Sequence, residues 1–228
     1  MDAKIKEITG VLKDPNRYNY LSLILEIQKE LNDSSENDKL SYALNTLELF
    51  AFGDFKLFLK YEPQVLKLDS ELLLKLINAT IITIISNSEG QIIDIQEMME
   101  EWKLNEALSR YAEAIQEAMP LNILLDNVII NLIENQLVDL SIDMVRGKLV
   151  VRRTRVIRDS FNPNWYTPRL LSPEDLQDCN IVNSLTYLKE WLNKNVDKTH
   201  SELANLMQKD DVQEPTNARK RKPSDISL

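Results

Sequence analysis

Six cations crowd thirteen positions past the middle of the chain: Arg146, Lys148, Arg152, Arg153, Arg155 and Arg158. Such a run can neutralise phosphates along a nucleic-acid backbone, each one adding to the salt dependence of binding. It can equally meet carboxylates on a protein. The preceding segment argues against the first use: residues 122–136 hold no Lys or Arg and carry Asp126 and Glu134, a poor face for reading a major groove. An acidic protein partner, or pairing within the chain, is therefore expected ahead of nucleic acid.

Other chemistry has few candidates. His200 is the single histidine and Cys179 the single cysteine. One of each builds neither a Cys/His zinc site, nor a triad with an orienting histidine, nor a disulfide framework. The four glycines, Gly10, Gly53, Gly90 and Gly147, lie too far apart to form a phosphate-cradling loop. No pair of carboxylates stands out as an acid and base. The expectation is a protein without catalytic residues, metal or cofactor.

The elements that carry these residues belong to an ordinary globular chain. Its 228 residues are 43% hydrophobic and 28% charged, with a formal net charge of −9, enough for a sizeable core in one or two domains. The opening Met1-Asp2-Ala3-Lys4-Ile5-Lys6 lacks the apolar stretch of a secretory signal. The longest apolar run, Leu72 to Ile85, is interrupted by Lys75, Asn78 and Thr83, so no membrane span is expected.

The N-terminal third reads as stacked helices. Asp14-Pro15 suggests a cap and first helical position, with Leu21, Ile24, Leu25 and Leu31 following. Residues 32–39 form a polar break, a second helix carries Leu40, Leu44, Leu47 and Ala51, and Gly53-Asp54 interrupts it. Leu73, Leu76, Ile77, Thr80, Ile81 and Ile84 keep helical spacing through a β-branched run, and the segment is apolar nearly all round, as a central buried helix would be. Gln91 to Trp102, Asn105 to Met119 and Asn122 to Gln136 read as further helices. The period then drops to two: Val138, Leu140 and Ile142 alternate with polar residues, Arg146-Gly147 turns, and a return strand starts at Leu149 and extends toward Ile157. Helices closed by one hairpin have the pattern of a winged helix.

Pro163, Pro168 and Pro173 mark a linker, and Ser172-Pro173-Glu174-Asp175 resembles a helix start. Beyond it Ile181, Leu185, Leu188 and Leu192 keep a narrow stripe that needs another surface. The last eighteen residues are polar, and Arg219, Lys220, Arg221 and Lys222 form a candidate nuclear-import patch.

At Leu47-Glu48-Leu49-Phe50-Ala51-Phe52-Gly53 the chain resembles a known family. This block, the helix around Leu76-Ile77-Asn78-Ala79-Thr80-Ile81, and the helix-then-hairpin ending together are similar to a PCI domain, the module shared by the proteasome lid, a translation-initiation scaffold and the COP-nine signalosome. The block most resembles the signalosome's seventh subunit and its short yeast counterpart, the ninth. Lys13 to Tyr18, Val156-Ile157-Arg158-Asp159, Asn180-Ile181-Val182 and Glu190-Trp191 extend the likeness over residues 12–207. Residues 103–121, an extra helix or longer loop, depart from the pattern, as does the arginine-rich hairpin.

The resemblance implies a mainly α chain: a helical-repeat part over residues 1–90, a winged-helix part over 91–161, a linker and C-terminal helix over 162–209, and a basic tail over 210–228. It implies a non-catalytic scaffold of the signalosome, which removes the Nedd modifier from cullins through a zinc centre in its MPN metalloprotease subunit. The partners would be that subunit and other PCI subunits, with cullin-RING ligases met indirectly, in nucleus and cytoplasm. Val138, Leu140, Ile142, Leu149 and Val151 in the hairpin, and Leu185, Leu188, Trp191 and Leu192 in the helix, are the expected interface, some of the hairpin set turning inward. Another PCI complex is the first alternative and a winged-helix nucleic-acid binder the second.

Overall fold

The computed structural model describes residues 2–31 and 38–210. Nine α-helices and three strands make up the described chain, which is mainly helical. Two compact units divide it, residues 1–181 and residues 182–228.

In the first unit, helices α1 (Asp2–Lys13), α2 (Leu21–Leu31), α3 (Asp38–Phe52) and α4 (Phe55–Tyr61) are followed by a 3₁₀ turn, Glu62–Gln64, and by α5 (Ser70–Asn87). Strand β1 (Ile92–Asp94), helices α6 (Ile95–Glu101), α7 (Leu104–Ile115) and α8 (Leu121–Glu134), and strands β2 (Val138–Asp143) and β3 (Lys148–Thr154) complete the regular elements. The sheet is antiparallel in the order β1-β3-β2.

Helix α5 is the shared centre. It packs against α1, α4, α7 and β3. Leu72, Leu73, Leu76, Ile77, Ile81, Ile82, Ile84 and Ile85 are all buried, each contributing about 1.5–3 kcal/mol through its removal from water. By length and composition α5 is the one described helix that could cross a membrane, against the expectation drawn from its polar interruptions, but most of it is buried within the protein. Polar side chains along it are satisfied, in part by groups far away in the sequence. Thr80 Oγ1 donates to Leu76 O and accepts from Phe55 N, which fixes the start of α4. Lys75 Nζ donates to Asp14 O at 2.7 Å and Pro15 O at 2.9 Å and lies 3.4 Å from the centre of the Tyr18 ring. An ammonium can be buried when carbonyls and an aromatic face replace its water.

Several local expectations change. Asp14-Pro15 does not open a helix: Asp14 Oδ1 accepts from Asn16 N in a turn, and α2 begins at Leu21. Its cap comes from far along the chain, where Asp159 Oδ2 accepts from Tyr20 N and Leu21 N. The span 91–102 is a strand and then a helix, because Ile92 and Ile93 pair with Val150 and Leu149 while Asp94 Oδ1 accepts from Gln96 N and Glu97 N to start α6. The hairpin thus belongs to a three-stranded sheet, and β3 stops at Thr154 rather than near Ile157. Residues 104–115 form the extra helix, followed by a loop. Ser172-Pro173 starts turns in which Asp175 Oδ2 accepts from Ser172 N and Oγ, and the long helix α9 (Ile181–Asp210) begins later. Of the polar break expected at 32–39, Asp38 and Lys39 open α3, and of the tail expected at 210–228, Asp210 ends the long helix; residues 32–37 and 211–228 lie outside the described residues.

Candidate functional site

Two surfaces can meet a partner: the sheet with its hairpin, and α9. Along β3 the residues Lys148, Val150 and Arg152 point outward, while Leu149 and Val151 are buried. In β2, Val138 and Leu140 are buried as well. Four of the five expected hairpin interface residues, Val138, Leu140, Leu149 and Val151, therefore close the protein's own core against α5 and α8. Only Ile142 is half exposed. What the hairpin offers is its opposite face, where Val150 pairs with the exposed Ile92, and the outer backbone edge of β2. Gly147, at φ +63°, turns the chain between the strands in the left-handed region.

The hairpin cations do not form one uniform patch. The register steps between Asp139 and Leu140, whose partners are Arg153 and Val151, so Arg152 is an extra residue in β3. That bulge turns Arg152 and Arg153 out together, and both reach Asp139, at 3.1 and 3.7 Å. Arg155 Nη1 donates to Gln136 Oε1, and Arg146 is 3.9 Å from Asp143. In register, Lys148 stands between Asp94 and Asp143. Arg158 leaves the set altogether. Its guanidinium is buried past the end of β3, where Nη1 donates to Thr83 Oγ1 and Nη2 to Phe50 O at 2.8 Å and Gly53 O at 2.7 Å. A cation on the last carbonyls of α3 complements the helix dipole, as Asp159 does at the first amides of α2. This adjacent pair lies in the stretch Val156-Ile157-Arg158-Asp159.

The proline-bearing stretch after β3 is irregular but packed. Phe161, Tyr166, Leu170, Leu171 and Leu176 are buried, and Phe52 meets Phe161 edge to face and Tyr166 at a tilt. The fully buried Glu48 on α3 accepts from Tyr166 O–H and from the amides of Arg169, Leu170 and Leu171. Burial, and then Glu48 itself, push the Tyr166 phenol well above its ordinary pKa, so it remains a donor. Asp175 accepts from Lys60 Nζ, Tyr61 O–H and Ser172. Burial opposes its charge, yet these hydrogen bonds hold its pKa well below the usual carboxylate range. The anchoring contacts of Glu48 and Asp175 were not legible in the sequence, because most of them reach groups distant along the chain.

A cleft of about 190 Å³ lies beside Arg158, with Trp102, Asp54, Asp178 and Cys179 among its lining. Burial pushes the Cys179 thiol up to about 11, so it is protonated and unreactive near neutrality. Among the described residues no group of three His, Cys, Asp or Glu side chains could hold a metal ion.

The helical part of the expected interface lies open. On α9, Leu185, Leu188, Trp191 and Leu192 are 50–56% exposed, and Val182, Tyr187, Val196 and Leu203 are exposed too. His200 is an exposed residue of the same helix. Arg219, Lys220, Arg221 and Lys222 fall outside the described residues.

Neither a protein-family model nor a curated protein matches this chain. The family resemblance therefore rests on the residues that carry it.

Proposed function

We propose that this chain is a non-catalytic PCI-type scaffold subunit, and that its complex is the COP-nine signalosome, where it supports removal of the Nedd modifier from cullins. The observation that carries the reading is the exposed apolar stripe of α9, C-terminal to a self-sufficient helical and sheet body. About half of each of four large side chains, Leu185, Leu188, Trp191 and Leu192, faces water, an arrangement that calls for a partner. The element order agrees. A helical layer leads through α5 into a short strand, helices and a hairpin whose last strand lies between the other two, which is the order of a winged helix. On this reading the outer edge of β2 joins a sheet of neighbouring PCI subunits by strand addition, and α9 enters a helical bundle with the partners, in nucleus and cytoplasm. The zinc centre belongs to the MPN subunit. A nucleic-acid reading draws little from the hairpin, since Asp139 holds Arg152 and Arg153 and Arg158 is buried.

Affinity purification of the tagged chain from its native cells, with mass spectrometry of the co-purifying proteins, tests the reading. Recovery of an MPN metalloprotease, PCI subunits and cullins is expected. Proteasome-lid or initiation subunits would keep the scaffold and change the complex. A chain that purifies alone would refute both.

A further inference from the structure

Of the eight prolines in the chain, two follow a hydroxyl residue, at Thr167-Pro168 and Ser172-Pro173. A hydroxyl directly before proline is the pattern that proline-directed serine/threonine kinases read, since proline fixes its backbone angle and offers no N–H at that place. Both dipeptides lie in the irregular stretch after β3, and by sequence alone they are equivalent. The fold separates them.

Thr167 is exposed, in backbone that is neither helix nor strand, and among the described residues its hydroxyl makes no hydrogen bond. Pro163, Asn164 and Trp165 before it and Arg169 after it are exposed as well. Tyr166 O–H and Arg169 N, on either side of it in the chain, are held by the buried Glu48, so Thr167 faces water between two anchored residues. Ser172 is half-buried and occupied. Its Oγ donates to Asp175 Oδ2 at 2.7 Å and its N to the same oxygen at 3.0 Å. Leu170 and Leu171 before it are buried, with their amides on Glu48 at 3.0 and 2.8 Å. A kinase draws the acceptor and its flanking residues into an extended groove, and at Ser172 that requires breaking all of these bonds.

In the transfer, Thr167 Oγ1 attacks the γ-phosphorus of Mg-ATP. A new O–P bond forms as the bond to the β-phosphate oxygen breaks, the hydroxyl proton passes to the kinase's base, and ADP leaves. The product carries about −1.5 to −2 charge at pH 7. Arg169, two residues on, bears a guanidinium of the shape that forks onto a phosphate; its Nη2 lies 3.4 Å from Ser41 Oγ.

We propose that Thr167 is a phosphorylation site for a proline-directed serine/threonine kinase, and that the Asp175 turn withholds Ser172 from the same enzyme. The test incubates the full chain with Mg-ATP and a purified, activated mitogen-activated protein kinase, and quantifies phosphate at each residue by mass spectrometry. Thr167 is expected to be modified roughly tenfold or more faster than Ser172, the bonds that hold Ser172 being the difference. Thr167→Ser should keep the modification and Thr167→Ala should remove most of the incorporated phosphate. Asp175→Asn, with its fold checked by circular dichroism, should raise the rate at Ser172 about fivefold and leave Thr167 unchanged. Equal rates at the two residues, preference for Ser172, or no phosphate on Thr167 overturns the proposal. An unchanged rate at Ser172 in Asp175→Asn overturns its second half. None of these outcomes depends on which complex the chain enters.

Discussion

Removing the Glu48 carboxylate should loosen the irregular segment after β3 far more than the place of that segment in a linker would suggest. Four donors converge on it: Tyr166 O–H and Arg169 N on Oε2, Leu170 N and Leu171 N on Oε1. Leu170 and Leu171 are buried, so water cannot replace the lost acceptor. An orphaned buried donor costs about 1–3 kcal/mol, and partial relaxation keeps the total for Glu48→Ala near ~4 kcal/mol. Glu48→Gln keeps one oxygen for the two leucine amides. Its NH₂ can donate to the Tyr166 oxygen but opposes Arg169 N, for a loss of about 2 kcal/mol. Tyr166→Phe removes one donor to a charged group, about 1.5 kcal/mol. Urea unfolding followed by circular dichroism gives the three values, and limited proteolysis should cut first within 162–180 in Glu48→Ala. A loss below about 1 kcal/mol for Glu48→Ala, or equal losses for Ala and Gln, would refute the acceptor-by-acceptor reasoning.

Four further outcomes are expected. Gly53→Ala should destabilise by about 1–3 kcal/mol in the same urea assay, since a Cβ there would lie 2.8 Å from Leu49 O and 2.7 Å from Leu49 Cδ1. Arg158→Lys should cost about 3 kcal/mol despite keeping the charge, because one ammonium cannot reach Thr83, Phe50 and Gly53 together. Asp175 has a lowered pKa in the folded state, so its contribution is fully present above its unfolded value of about 3.9 and is lost as pH falls from there through the folded value; the melting temperatures of wild type and Asp175→Asn should begin to approach one another below about pH 4 and keep closing down to the lowest pH at which the fold survives. Leu185→Asp with Leu192→Asp should abolish recovery of partners while the unit 1–181 retains its cooperative melt; loss of that melt would assign the stripe to the protein's own core.

Periodic elements were legible and distant contacts were not. Helices α5 and α8 and strands β2 and β3 announced themselves because burial repeats along each of them. Strand β1 has three residues, too few for a period, and its pairing with β3 decides it. Arg158 reads like its neighbours Arg152, Arg153 and Arg155, since residue type does not encode which arginine turns inward. The same holds for the hairpin interface: alternation located Val138, Leu140, Leu149 and Val151 on one face without saying that this face is covered from within. On α9 the stripe was visible, but Ser172-Pro173 misplaced its start because Asp175 caps a turn instead.

The Arg158–Asp159 pair also has a bearing on synthesis. Phe50, near the end of α3, is 108 residues ahead of Arg158, and at about 5–20 residues per second a ribosome takes roughly 5–20 s to cover that distance. Throughout that interval the N-terminal helices are complete in sequence but lack both the cation that closes α3 and the carboxylate that opens α2. Vectorial folding of this chain therefore waits on the segment that follows β3, and nascent chains stalled before residue 158 should be the ones that quality-control proteases clear first.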